Sequence, residues 1–273
     1  MKYLQNLHTH STYCDGKNTL EEMVQGAIEK GFASLGFSGH SYTSFWPEYC
    51  MTLEGTEEYK KEIRRLQKKY QDQIEIFCGL ELDRHSDGDR TGFDYTIGSV
   101  HSFKIGEKYI DFDQPASVVK KIIQEYFSGD SMAYVKKYYE TVSELPECGN
   151  IDFVGHFDII TKHSEKETFF DADSPEYKKI ALDALDTVAS RIKLFEINSG
   201  AIARGYRSTP YPALFLLKEM KQRGCGIVIT ADCHDYRYLD CHFREMEAIL
   251  KECGFKEHYV LTKTGFQALP LEG

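Results

Sequence analysis

The chain has 273 residues, 41% of them apolar and 13% aromatic, which suits one large barrel or two ordinary domains with a substantial core. Its formal net charge is −10, which argues against polynucleotide partners, because phosphate neutralisation favours basic surfaces. No run approaches the roughly 20 apolar residues of a membrane span, and Met1 to His10 has neither the charged nor the apolar region of a secretory leader.

The chain opens on an expected strand, Tyr3–His8, that runs into His8-Thr9-His10 and then Asp15. An amphipathic helix follows over Leu20–Lys30, with Thr19 as its N-cap and Gly31 as its stop. The second strand, Ser34–Ser38, leads to Gly39-His40, and a helix spans Thr56–Tyr70 with Ile63, Leu66 and Tyr70 at helical spacing. Ile74–Leu82 is the third strand, carrying Glu81 and followed by Asp83. Tyr95–Val100 is the fourth and leads to His101. Helices over Pro115–Tyr126 and Met132–Leu145 precede the fifth strand, Ile151–Val154, which runs into Gly155-His156-Phe157-Asp158. Helix Pro175–Arg191, strand Lys193–Ile197, helix Pro212–Arg223, strand Gly226–Thr230 and helix Cys241–Lys251 complete the series. The last strand leads to Ala231-Asp232-Cys233-His234. Alternating short β-prone runs and longer amphipathic segments are the signature of parallel βα units. The expectation is one α/β domain over residues 1–273, a barrel of TIM type rather than an open doubly wound sheet.

Closure is favoured by the chemistry at the strand ends. In a closed parallel barrel all carboxyl ends meet on one face, where barrel enzymes place their catalytic groups. A lone histidine at a strand end is ordinarily a surface or hydrogen-bonded residue. Here six of ten histidines, His8, His10, His40, His101, His156 and His234, occupy that same position. Together with Asp15, Glu81 and Asp232 they read as a metal site. His85, His242 and His258 are read as solvated; His163, soon after the fifth strand, takes the same reading, with lining of the pocket as its alternative. Imidazole and carboxylate without thiolate suit zinc, iron or manganese better than magnesium or calcium. Cys14 and Cys233 adjoin ligands but are read as non-ligands. All eight cysteines lack C-x-x-C spacing and read as reduced thiols of a cytoplasmic enzyme. Nine candidate groups are too many for one tetrahedral ion and fit two or three divalent ions, with Glu81 bridging a pair.

His8-Thr9-His10, His40, Gly79-Leu80-Glu81, Ser99-Val100-His101, Gly155-His156-Phe157-Asp158 and Ala231-Asp232-Cys233-His234 occur in this order. As a set they resemble the polymerase-and-histidinol-phosphatase (PHP) superfamily over essentially the whole chain. The length and the Gly-His-Phe-Asp segment resemble its histidinol-phosphate phosphatase family. That resemblance implies a distorted seven-stranded (β/α)7 barrel with a trinuclear centre. It implies His8, His10, Glu81 and Asp232 on one ion, Glu81, His101 and His156 on the second, and Asp15, His40 and His234 on the third. Where the family often places an arginine after Gly-His-Phe-Asp, this chain has Lys162 and His163, and Ser38-Gly39-His40 replaces the commoner acidic residue before histidine.

The expected chemistry is metal-dependent hydrolysis of a phosphomonoester, L-histidinol phosphate in histidine biosynthesis, by in-line attack of a hydroxide bridging two metals. Asp232, His234 and Glu81 are the catalytic candidates, with Asp232 or a metal-linked histidine assisting proton transfer. Arg204, Arg207 and, more weakly, Lys162 are the candidate phosphate grips, because a guanidinium matches phosphate oxygens in a bidentate fork. The loop Ser41-Tyr42-Thr43-Ser44-Phe45-Trp46 forms either a wall for an imidazole ring or a hydrophobic lid. Competing readings are a phosphatase for another small phosphorylated metabolite, a nuclease or proofreading module, and a non-catalytic metal-binding barrel. A homo-oligomer is compatible with all of them.

Overall fold

A computed structural model describes residues 3–272; Met1, Lys2 and Gly273, the extremes of the expected 1–273 domain, lie outside the described residues. In chain order the elements are β1 (Gln5–Asn6), α1 (Leu20–Glu29), β2 (Ser34–His40), α2 (Leu53–Lys69), β3 (Glu75–Asp83), β4 (Tyr95–Ser99), β5 (Ser102–Ile105) and β6 (Lys108–Asp111). They continue with α3 (Ala116–Phe127), α4 (Ser131–Val142), β7 (Phe153–Val154), α5 (Pro175–Ala189), β8 (Leu194–Asn198) and α6 (Gly200–Ala203). The series ends with α7 (Leu214–Gln222), β9 (Gly226–Thr230), α8 (Phe243–Glu252), β10 (Glu257–Thr262) and β11 (Gly265–Pro270).

All seven expected strands form and pair in parallel, in the order β1-β2-β3-β4-β7-β8-β9. Both faces of this sheet are covered: every residue of β2 is buried, the two serines and His40 included. Thr19 caps α1 in a reciprocal capping box with Glu22. Helix α2 starts three residues before the expected Thr56, because the Thr52 side chain accepts the Gly55 N–H and fixes the turn there.

The expected closed seven-stranded barrel is not what the chain builds. The sheet has nine strands among the described residues, because the β10–β11 hairpin adds to the β9 edge through Tyr259 and Val228. The result is a curled sheet. Its β1 and β9 ends approach at the carboxyl side through a single parallel bridge, Thr9 to Cys233. At the amino side β10 intervenes, and the Gln5 amide joins it by accepting the Leu261 N–H and donating to the Leu261 carbonyl, both at 2.8 Å.

Two apolar layers hold this curl. The larger lies between the sheet and the helices and includes Leu35, Phe37, Tyr59, Leu185 and Met220. A small inner cluster, Leu7, Phe77, Tyr95, Ile97, Phe153, Val228 and Leu261, fills the concave side. The Tyr95 hydroxyl donates to the carbonyls of Leu7 and Phe37 there. The glycines at Gly36 and Gly79 make room for that ring: a Cβ on Gly79 would stand 2.2 Å from Tyr95 Cζ. The inner core plugs the curl from below and leaves polar groups at its carboxyl mouth. No helix of the described residues is long and apolar enough to cross a membrane.

Candidate metal centre

The nine side chains expected to meet do meet, at the carboxyl edge of the sheet. His8 and His10 follow β1, His40 ends β2, Glu81 lies two residues before the end of β3, His101 and His156 follow β4 and β7, and Asp232 and His234 follow β9. The β2–β3 register sets His40 directly beside Glu81. Backbone bonds between His10 N and the Cys233 carbonyl and between Cys233 N and the His8 carbonyl lock the two His/Asp-bearing ends together. Asp232 adopts a left-handed backbone (φ 44°), strain that surrounding packing must hold. Gly200 permits the turn, since a Cβ there would stand 2.9 Å from Asp232 Cβ.

Glu81 is the hub. Its Oε2 lies 2.9 Å from His40 Nδ1, 3.3 Å from His8 Nε2 and 3.5 Å from His10 Nε2. Its Oε1 lies 3.0 Å from His156 Nε2 and 3.4 Å from His101 Nε2. Asp232 Oδ1 stands 3.1 Å from His10 Nε2 and 3.6 Å from both His8 Nε2 and His234 Nδ1. Asp15 reaches His234 Nε2 at 3.1 Å and His40 Nε2 at 3.6 Å. Four overlapping sets have donor atoms mutually within 4.8 Å: His10/Asp15/His40/His234, His8/Glu81/His156, His8/His10/Asp232 and His40/Glu81/His101.

The residues fit divalent cations. His8 Nε2 is buried without a hydrogen-bond partner, and His10 Nε2 and Glu81 Oε2 are buried beside it with near neighbours but no well-aligned hydrogen bond, an arrangement that costs about 1–3 kcal/mol per group unless something else satisfies it. The field agrees. Burial lowers the pKa of His8, yet Glu196, Glu81 and Asp232 outweigh it and hold the ring well above the ordinary histidine value. Burial likewise opposes protonation of His101, but Glu81 and Asp83 carry it to about 10. A pocket that holds protons this firmly attracts cations for the same reason. His10 is the exception: burial, with His234 and His40 alongside, pushes it down to about 3 and keeps its lone pair free. Burial would raise the carboxyl of Asp232, but Arg204 and His8 hold it well below the usual range.

Among the candidate phosphate grips, Arg204 reaches the centre. It ion-pairs with Asp232 Oδ2 at 2.7 Å, donates to the Asp232 carbonyl at 2.9 Å and lies 3.2 Å from His234 Nδ1. Arg207 turns instead to Thr161 and Thr209 and packs on the Tyr211 ring. Lys162 pairs with Asp113 at 2.8 Å and lies over the Tyr206 ring. His163 sits behind the mouth, its Nε2 2.9 Å from the Gln114 carbonyl. Cys233 points away, its Sγ on the Asp235 carbonyl, while the Cys14 Sγ stands 3.5 Å from His10 Nδ1.

Several further residues take roles at the site that local pattern along the chain does not assign. The β5–β6 hairpin places Asp111, Asp113 and Gln114 beside Asp15, His40, Tyr49 and His101 in a cleft of about 200 Å³ over the centre. Tyr49, not Trp46, meets the His40 ring edge-on at 5.2 Å, while Phe45 stacks on Tyr109 of the hairpin at 3.9 Å. Asp83 accepts the His101 N–H at 2.9 Å and the His85 N–H at 2.9 Å. Glu196 contacts His8 from behind at 2.9 Å. The alternation of Ser102–Asp111 around Gly106 was the available signal for the hairpin. His258, expected in solvent, is buried in β10 on the same strand face as Val260, the face opposite that of Leu261 of the inner cluster.

A curled parallel sheet with a His/Asp/Glu cluster on its carboxyl rim defines a metal-dependent hydrolase scaffold. The chain belongs to the PHP domain family, whose model matches residues 6–200. It is 26% identical to the histidinol-phosphatase of Bacillus subtilis, over 90% of this chain and 98% of that protein. Its fold is that of a solved chain from Listeria monocytogenes, with a TM-score of 0.77, 20% identity and coverage of 88% and 99%. It is also that of histidinol phosphate phosphatase from Lactococcus lactis, solved with zinc, L-histidinol and phosphate: TM-score 0.74, 22% identity, coverage 97% and 98%.

Proposed function

We propose that this chain hydrolyses L-histidinol phosphate to L-histidinol and inorganic phosphate, as a cytoplasmic enzyme of histidine biosynthesis, with two or three zinc, iron or manganese ions. The observation that carries the reading is the convergence of nine ligand-type side chains in four overlapping sets, five of the histidines on Glu81 itself, with buried ligand atoms that lack hydrogen-bond partners. His8, His10, Glu81 and Asp232 would hold one ion, Glu81, His101 and His156 a second, and Asp15, His40 and His234 a third. Bound there, such ions supply positive charge for the phosphoryl oxygens and lower the pKa of water towards neutrality.

The chain's own residues do the rest. Arg204, about a third exposed beside Asp232, orients the phosphoryl group with the guanidinium hydrogens that Asp232 does not take. Lys162 and Arg207 add positive charge behind it. Asp232 or a metal-linked histidine takes the proton of the attacking water and passes one on to the leaving alkoxide, so that the alcohol departs neutral. Tyr49 and the hairpin narrow the mouth and limit the water reaching it. Asp111 and Asp113 on that mouth suit an organic moiety that carries positive charge, as the ammonium and imidazole of histidinol do.

The test is phosphate release from L-histidinol phosphate beside an aryl phosphate, using metal-replete protein and a His101→Asn control. A strong preference for histidinol phosphate, lost in the control, supports the reading. Equal, slow turnover of both substrates overturns the substrate assignment.

A further inference from the structure

Glu196 is the third residue of β8, and its carboxylate is buried behind the centre. Four donors surround it. Oε2 stands 2.9 Å from His8 Nδ1 and accepts the Thr230 hydroxyl at 2.7 Å. Oε1 accepts the His156 backbone N–H at 2.6 Å and the Asn198 side-chain amide at 2.7 Å. An ionised carboxylate has about four lone-pair sites, so this one is fully used.

As a metal ligand His8 gives up its extra proton and is a neutral imidazole, which carries one N–H and one lone pair. Facing a carboxylate, His8 Nδ1 takes the hydrogen, which leaves the lone pair on Nε2. That atom is buried without a hydrogen-bond partner, 3.3 Å from Glu81 Oε2 and 3.6 Å from Asp232 Oδ1. The same carboxylate fixes the backbone of His156, whose Nε2 lies 3.0 Å from Glu81 Oε1. One side chain of β8 thereby governs a ring from the β1 end and a main-chain position after β7. Asn198 extends the link, since its Oδ1 accepts the Gly200 N–H at 2.7 Å and starts the short α6 that precedes Arg204.

We propose that Glu196 is a positioning residue of the metal centre: it sets the tautomer and direction of His8, pins His156, and so presents both rings to Glu81 as metal ligands. The proposal rests on the metal-centre reading above and not on the identity of the substrate. Carboxylates behind metal-binding histidines typically contribute 10- to 100-fold in metal affinity. A purely structural Glu196 would contribute to folding alone.

Glu196→Gln separates the two. Glutamine keeps the size but offers one acceptor oxygen to four donors, and an amide NH2 facing His8 forces the hydrogen onto Nε2. Zinc affinity, measured on metal-stripped protein by competition with a chromogenic chelator and without substrate, should fall by about 10- to 100-fold. Thermal unfolding of the metal-stripped protein reads the structural cost separately. Lowered stability with unchanged zinc affinity overturns the proposal, as does no change in either. If the variant does not fold, nitrogen-15 NMR of zinc-loaded wild type decides: a proton on His8 Nδ1 supports the proposal, and a bare Nδ1 overturns it. Wild type that binds no zinc removes the metal-centre reading and this proposal together. Zinc binding without turnover of histidinol phosphate removes the substrate alone.

Discussion

Arg204→Ala is the substitution whose effect the geometry specifies most closely. Arg204 meets Asp232 twice, through Nη2 to Oδ2 at 2.7 Å and Nη1 to the carbonyl at 2.9 Å. A guanidinium has five N–H donors in a fixed fork, so donors remain for phosphoryl oxygens placed over the centre. Removing a preorganised donor of this kind costs about 10²- to 10³-fold in kcat, or roughly 3–4 kcal/mol of transition-state stabilisation. The fold pays less. Hydrogen bonds to charged groups contribute about 1.5–3 kcal/mol, and His8 and His10 remain beside the Asp232 carboxylate, so about 2 kcal/mol of unfolding free energy should go. Steady-state phosphate release from L-histidinol phosphate gives kcat and KM, and inhibition by inorganic phosphate reports the oxyanion grip directly. Arg204→Lys should recover only part of the loss, because an ammonium lacks the fork. A folded Arg204→Ala protein with unchanged kcat, KM and phosphate inhibition would refute the assignment.

Asp113→Asn tests the acidic mouth: KM for L-histidinol phosphate should rise about tenfold, in line with loss of one charged contact of roughly 1.4 kcal/mol, while KM for an aryl phosphate stays put. An equal change for both substrates removes Asp113 from recognition. Gly79→Ala drives a Cβ to 2.2 Å from Tyr95 Cζ in the inner core. It should lower stability by about 1–3 kcal/mol or more in thermal or urea unfolding, and an unchanged midpoint would mean the concave core is looser than described. His258 is held by burial at about 4, below the ordinary 6.5. The unfolded chain therefore binds the extra proton between those values, and stability falls as pH drops through that window and is unaffected above it. His258→Leu should erase about 2 kcal/mol of the loss between pH 7 and pH 5; identical pH slopes for variant and wild type would contradict the burial argument.

Much of the fold and most of the centre were legible from local pattern. Short β-prone runs such as Gly226–Thr230 marked the strands, and the polar residue after each run marked one face of the sheet. The limits were physical. The Tyr3–His8 run ladders only at Gln5–Asn6, because the following residues bend towards Cys233. The β10–β11 hairpin lies beyond the last βα unit, so nothing in the one-strand-one-helix pattern demanded it, and it is what replaces closure at the amino side. Glu196 was visible as a polar strand residue but not as a support: its partners His8, His156 and Thr230 are 188, 40 and 34 positions away. Such a role depends on distances across the curl, which spacing along the chain does not encode. Arg204 and Arg207 looked equivalent because one short turn carries both. Helix α6 ends in a way that turns the first towards Asp232 and the second towards Tyr211.

Hydrolysis of histidinol phosphate by this chain depends on metal held at the nine-residue cluster. The most direct measurement is turnover of L-histidinol phosphate by metal-stripped protein as zinc or manganese is added back, with bound metal counted at each point. The expected result is no turnover without metal and a rise to a plateau as two to three ions bind per chain, flattened by His101→Asn. Full activity in metal-free protein, or metal bound at that stoichiometry with no hydrolysis, would contradict it.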